Sequence, residues 1–338
     1  MLVVAAHSTS SVEHFFGHVP LGGYMRVGYV GVDLFFVLSG FIIFTVHRED
    51  IGRKERVRSF LWRRFVRIFP PYWIVLALLI AGRFVLRADS THPLDTLRVL
   101  RSLVLWPATD AENILSVAWT LSFELFFYAV FALAILNKTW GYSVFLAWQI
   151  AVLISNIGMQ RSFFALNLMN LEFLFGMAAA MLPSNSRAKI LAPLGALLFL
   201  AAAAAESLNV PIMATGFSVF VYGPSAAAMI YGLKCVEQTP RPVPSLILLC
   251  GAASYSIYLV HYPVISFVSR VMSNQSRIPA DFEFVVLVAS GAFAGVAFFL
   301  IAERPLLRSL RPLLHYTEEP VLVAATTAAP VSVRETPQ

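Results

Sequence analysis

Imidazole and carboxylate side chains stand inside otherwise apolar runs at His7, Asp33, Glu124, Glu172 and His261. An ionisable group at membrane depth costs about 2.5–3.5 kcal/mol on insertion scales, so such residues pair with one another or line a cavity. His7 follows LVVAA and precedes STSSVEH, which puts it toward the outer end of a first helix. An imidazole placed there can accept the proton of a hydroxyl nucleophile; the plainer reading is a helix-end histidine at the membrane interface. Asp33, in GYVGVDLFFVLSGFII, either offsets a helix dipole or orients an imidazole as a triad carboxylate does. Glu124, in SVAWTLSFELFFY, has aromatic residues around more than one helix face, so its carboxyl must meet protein or water. Trp119 and Tyr128 beside it read as interfacial anchors. Glu172, in NLEFLFGM, repeats the signal more weakly, and His261, in SYSIYLVHYPV, reads as a structural hydrogen-bonding group.

The stretch SFLWRRFVRIFPPYW is different in kind. Arg64 and Arg67 are three apart, project from one face of a helix and can grip a phosphate together. A positive anchor on anionic lipid is the competing reading. Trp62 and Tyr72 flank the pair, suited to stacking a planar group or anchoring in the headgroups. The sequence contains no GxSxG elbow, phosphate-binding GxxxxGK[ST] loop, HExxH pair or Cys/His ligand set. Cys235 and Cys250 have no metal or disulfide spacing.

The elements that must hold these residues follow from composition. Of 338 residues, 58% are hydrophobic and 13% charged, with a mean hydropathy of +0.74. A soluble domain is roughly 25% charged, so the chain is expected to be an all-α polytopic transmembrane bundle. Runs near 20 apolar residues, the length a bilayer core of about 30 Å needs, lie at 29–47, 71–87, 116–136, 143–158, 163–182, 190–206, 212–233, 246–268 and 282–302. Leu2–Ala6 is too short to cross and reads as the end of a helix whose beginning is absent, so about ten helices are expected, the first truncated. Leu97–Trp106 carries two arginines, is too short to cross and is expected to be an interfacial or re-entrant element. The membrane domain is expected over 1–312. From 313 to 338 the chain turns Ala/Thr/Pro/Val-rich, as in a disordered cytoplasmic tail.

Orientation follows the basic residues. The loop between the first two full runs carries eight, from Arg48 to Arg67, against Glu49, Asp50 and Glu55, and 17 of the 25 fall on that side. Taking it as cytoplasmic puts both termini inside. A pI near 9.5 is thereby accounted for by membrane loops rather than by nucleic acid.

With these residues in place, the chain resembles the acyltransferase-3 family of integral membrane acyltransferases, which includes O-antigen, nodulation-factor and exopolysaccharide O-acetyltransferases. The resemblance rests on six ordered segments: LVVAAH, GVDLFFVLSGFII, FLWRRFVRIFPPYW, AWTLSFELFFY, LEFLFGM and SYSIYLVHYPV. It implies a bacterial inner-membrane enzyme moving an acyl group from cytoplasmic acetyl-CoA or another acyl-CoA to a hydroxyl of a lipid-linked or polymeric glycan outside, without a metal. His7 matches the histidine of the family's Arg–ten residues–His pattern, whose arginine would fall upstream of Met1, so the sequence is read as starting inside that helix. Arg64 and Arg67 match its Arg-x-x-Arg, associated with the donor, while Asp33 and Glu124 match acidic positions that would orient His7 or stabilise its charged form. The alternative is a transporter or flippase for a lipid-linked glycan. That reading calls for two half-chain repeats with discontinuous helices, and the halves lack convincing similarity. A membrane glycosyltransferase would call for a DxD-type metal site, and none is clear.

Overall fold

The computed structural model describes residues 1–85, 94–107, 112–157, 163–208, 210, 212, 218–236, 243–273 and 279–310. The expected tail, the junctions at 86–87, 158 and 213–217, and Arg87, Arg161, Arg241, Arg277, Arg311 and Arg334 of the charge argument lie outside those residues. Among the described residues every regular element is helical: α1 (Leu2–Phe16), α2 (Gly31–His47), α3 (Val57–Val85), α4 (Thr96–Leu103), α5 (Trp119–Leu136), α6 (Lys138–Ser155), α7 (Asn170–Met181), α8 (Leu191–Ser207), α9 (Val219–Val236), α10 (Ser245–Ala252), α11 (Ser254–Met272), α12 (Ala280–Phe298) and α13 (Arg304–Leu310). In hydrocarbon every backbone N–H and C=O must be satisfied within the segment, which helices alone achieve locally.

Each expected apolar run coincides with a helix, but fewer of them span. Six continuous helical stretches are long and apolar enough to cross a membrane, and α10 with α11, bent by 70°, makes a seventh. The remaining three fall short for separate reasons. At twelve residues α7 rises about 18 Å, well under the core thickness. α6 opens on the polar run KTWGYS and carries Gln149, which dilutes its apolarity. α1 has only fifteen residues.

α1 also corrects the placement of His7. The helix does not end near His7 but continues to Phe16, through the polar run expected to terminate it. Ser8 and Thr9 are fully buried; Thr9 Oγ1 donates to Ala5 O at 3.0 Å, and Ser11 meets Ser269 of α11 at 2.8 Å. A hydroxyl that bonds to the preceding turn, as that of Thr9 does, or to a neighbouring helix, as that of Ser11 does, can stay helical in a bundle; Ser8 Oγ has no such partner among the described residues. His7 therefore lies within the packed part of α1. α4 has eight residues, too short to cross, with Leu97 and Leu100 exposed on it and Trp106 exposed just beyond its end. It is tied to α3 where Tyr72 donates its hydroxyl to Ser102 O at 2.7 Å and Trp73 Nε1 donates to Leu103 O at 2.9 Å.

Glycines set the closest helix pairs. α2 packs extensively along α7, α8 along α9 and α11 along α12. Gly40 and Gly176 bring α2 and α7 together at backbone distance, and Gly291 and Gly295 do the same for α12 against α11. Small residues are how membrane helices gain dispersion contact without a hydrophobic driving force between them. The main core, around Phe36, Phe60, Phe127, Phe131 and Phe173, lies among α2, α3, α5 and α7.

Candidate active site

One part of the site is built on α3. One helical turn presents Arg64 and Arg67 to the same side, and each guanidinium is held by its own set of neighbours. Arg64 lies over the rings of Phe60 and Tyr128, 5.9 and 5.6 Å from their centres, as cations do on aromatic faces. Its Nη2 is 3.3 Å from His47 Nε2, and His47 Nδ1 is 2.8 Å from Asp50 Oδ2. A carboxylate only accepts, so Nδ1 carries the proton and Nε2 is free to accept from the guanidinium. Arg64 Nε is buried without a hydrogen-bond partner. Arg67 donates from Nη1 to Glu303 Oε1 at 2.5 Å and sits 5.3 Å from the centre of the Tyr255 ring. Glu303 is fully buried and accepts from Ser256 Oγ at 2.5 Å on its other oxygen, whereas the Arg67 side chain is 39% exposed. Glu303 closes a π turn, Phe299–Glu303, between α12 and α13; such turns recur at functional sites because they re-aim a side chain.

Glu124 joins this cluster. Its carboxyl is buried, accepts from Tyr128 Oη and from Ser39 Oγ (3.3 Å), and lies within the electrostatic reach of both arginines. Tyr128 is accordingly a buried ligand of Glu124 and not an interfacial anchor. A hydrogen bond to a charged group contributes about 1.5–3 kcal/mol. Tyr128→Phe is therefore expected to lower the melting temperature of the detergent-solubilised protein, and an unchanged melt would remove the bond from this account.

Asp33 is placed elsewhere. Its carboxyl, 1% exposed, lies against that of Glu172, itself fully buried, on the α2–α7 seam, and no side-chain donor reaches either. Glu206 acts on Asp33 electrostatically and accepts from Tyr29 at 2.7 Å and Tyr222 at 2.8 Å.

A second part of the site centres on His7. Its ring is 5.3 Å from that of His261 and 4.9 Å from that of Tyr262. α11 links this histidine pair to the arginines. Along it, Tyr255 and Ser256 face Arg67 and Glu303. Tyr258, which donates to Val117 O and shares a 2.6 Å hydrogen bond with Thr120, follows next, its ring 5.8 Å from that of His261. His261 and Tyr262 then meet His7. From Tyr255 to Tyr262 is seven residues, about 10 Å of helical rise.

Of the five residues expected to act, Arg64, Arg67 and Glu124 thus come together, His7 lies farther along α11, and Asp33 faces another acid. Sequence reasoning passed over His47, Asp50, Ser256 and Glu303. The one signal available was a His and an Asp three apart around the C-terminal end of α2; Glu303, next to Arg304, looks like an ordinary membrane-edge charge.

Buried acids, paired arginines and paired histidines are thus carried on the helices of the bundle. Comparison with known proteins gives the class. Residues 1–304 match the family described as "Acyltransferase domain", and the chain belongs to that family; it is an integral membrane acyltransferase. It is similar to exopolysaccharide production protein ExoZ of Rhizobium meliloti (strain 1021), 33% identical over 302 residues that cover 85% of this chain and 92% of that protein. Similarity to peptidoglycan O-acetyltransferase OatA of Listeria monocytogenes is 22% over 291 residues, 72% of this chain and 46% of OatA. Protein 2 in the picA locus of Rhizobium radiobacter is 30% identical over 139 residues, 36% of this chain and 70% of that one. No solved structure matches the chain.

Proposed function

We propose that the protein is an O-acetyltransferase of the bacterial inner membrane, with both termini cytoplasmic. It moves the acyl group of cytoplasmic acetyl-CoA to a hydroxyl of an extracytoplasmic glycan, an exopolysaccharide or its lipid-linked precursor. The observation that carries this reading is the polar track on α11, with the Arg67–Glu303 pair at one end and His7–His261 at the other. Relatives named for exopolysaccharide production and for peptidoglycan O-acetylation support the choice of a glycan and of acetyl.

Arg64 and Arg67 hold the donor's phosphates, Arg64 through the buried Nε–H and Arg67 through its exposed side. The thioester reaches along α11 toward His7. A ring nitrogen of His7 takes the proton of the sugar hydroxyl as its oxygen attacks the thioester carbonyl. The new C–O bond forms, the C–S bond breaks, and the departing thiolate recovers the proton from the imidazolium. Glu124, bonded to Ser39 and Tyr128, offsets the charge of the two arginines when no donor is bound.

The test is transfer of radiolabelled acetyl from acetyl-CoA to polysaccharide in membranes holding the protein or His7→Ala at equal abundance. Removal of a general base lowers the rate by roughly 10²–10⁴-fold, so the variant is expected to label polysaccharide at about one hundredth of the wild-type rate or less, a residual rate read by prolonged labelling. Undiminished labelling by His7→Ala would overturn the role of His7, and absence of any transfer by the wild-type protein would overturn the reaction.

A further inference from the structure

His261 has an unusual arrangement for a buried imidazole. It is fully buried on α11, with Nδ1 3.0 Å from Ile257 O of the preceding turn. A backbone carbonyl only accepts, so Nδ1 carries the proton and Nε2 presents a bare lone pair. That Nε2 is buried and has no hydrogen-bond partner. A buried acceptor without a donor is costly and is normally avoided.

The surroundings narrow what the lone pair is for. Behind the ring, α12 is pressed close: a Cβ at Gly291 would come within 3.2 Å of His261 Cβ. To one side the Tyr258 hydroxyl is committed to Val117 O at 2.7 Å and to Thr120. On the remaining side is His7, its ring centre 5.3 Å away and tilted by 43°. An in-line N–H···N bond of about 3 Å, with each nitrogen about 1 Å from its ring centre, spans roughly 5 Å. The ring centres of the two imidazoles therefore stand at the separation that such a bond requires. Catalytic hydrogen bonds commonly tighten when substrate binds.

We infer that His261 is a positioning residue for the transfer reaction, its Nε2 accepting the N–H of His7. With one His7 nitrogen committed as a donor, the other is fixed as the lone pair that meets the acceptor hydroxyl. When His7 takes the hydroxyl proton, the imidazolium keeps its N–H on His261, as a triad histidine keeps its own on an aspartate. A neutral acceptor in place of a carboxylate suits a site that is out of water, where a lone unpaired anion is expensive. The inference rests on the acyl-transfer role proposed for His7.

Two substitutions separate positioning from packing. In His261→Asn the amide nitrogen stands near Nδ1 and keeps the bond to Ile257 O, but nothing occupies the place of Nε2. In His261→Gln the amide reaches the place of Nε2 and supplies an acceptor oxygen. Acetyl transfer at saturating donor is expected to fall about 100-fold or more in His261→Asn, with the KM for acetyl-CoA unchanged, and to stay within about tenfold of wild type in His261→Gln. Adding His261→Asn to His7→Ala is expected to cost nothing further, because the residue acts through His7. Wild-type turnover in His261→Asn, equal losses in the Asn and Gln variants, or an additional loss in the double variant would each overturn the inference while leaving the role of His7 standing. Full activity in His7→Ala would overturn that role and the inference with it.

Discussion

Gly176→Leu is expected to yield no monodisperse protein in mild detergent, whereas Gly82→Leu and Gly251→Leu behave as wild type. A Cβ at Gly176 would lie 1.9 Å from Val37 O and 2.7 Å from Phe41 N, and one at Gly40 would lie 2.2 Å from Phe173 O. These are backbone atoms, so no side-chain rotation relieves the overlap, and α2 must move away from α7. That movement separates Phe173 from Phe36, whose ring centre is 4.8 Å from its own, and parts Asp33 from Glu172. Overpacking typically costs about 1–3 kcal/mol where neighbours can adjust; a helix pair held apart along its seam loses more, against a total stability of about 5–15 kcal/mol. Around Gly82 and Gly251 nothing lies within 4 Å, so those variants control for the added bulk. A normal melting curve for Gly176→Leu would mean that the seam is not what holds the bundle.

The helices were legible in the amino-acid order because hydrocarbon leaves a backbone so few options: each expected run contains a helix among the described residues. The number of crossings was not, since apolarity reports burial as readily as exposure to lipid, and α7 is buried without being long enough to span. For the site, legibility followed spacing. Arg64 and Arg67 share a turn, so their common face was fixed locally. Glu124 was recognisable as a carboxyl that had to meet protein, but its companions come from α2 and α3, distant in sequence. Asp33 resembled an imidazole's partner until the close α2–α7 seam set it against Glu172. Glu303 was invisible for another reason: beside Arg304, at the end of twenty apolar residues, it reads as a solvated charge, and only the π turn points it inward.

Arg64→Ala/Arg67→Ala is expected to reduce kcat/KM for acetyl-CoA by roughly 10²–10⁴-fold, with most of the change in KM. Each guanidinium offers charge-assisted hydrogen bonds of about 1.5–3 kcal/mol to a phosphate, and each 1.4 kcal/mol is tenfold. Loss of a contact made equally in the bound and transition states raises KM and leaves kcat, which fits groups that grip the donor far from the reacting carbonyl. Glu303→Gln sharpens the argument, because it removes the anion that fixes Arg67 without touching the arginine. Arg67 is partly exposed, so its freed charge turns to solvent instead of being stranded, and the expected result is a rise in KM of about tenfold with near-normal folding. If instead kcat falls in the double alanine variant and KM for the donor holds, the arginines act at the acyl group and not on the phosphates, and the donor must lie in the opposite sense along α11.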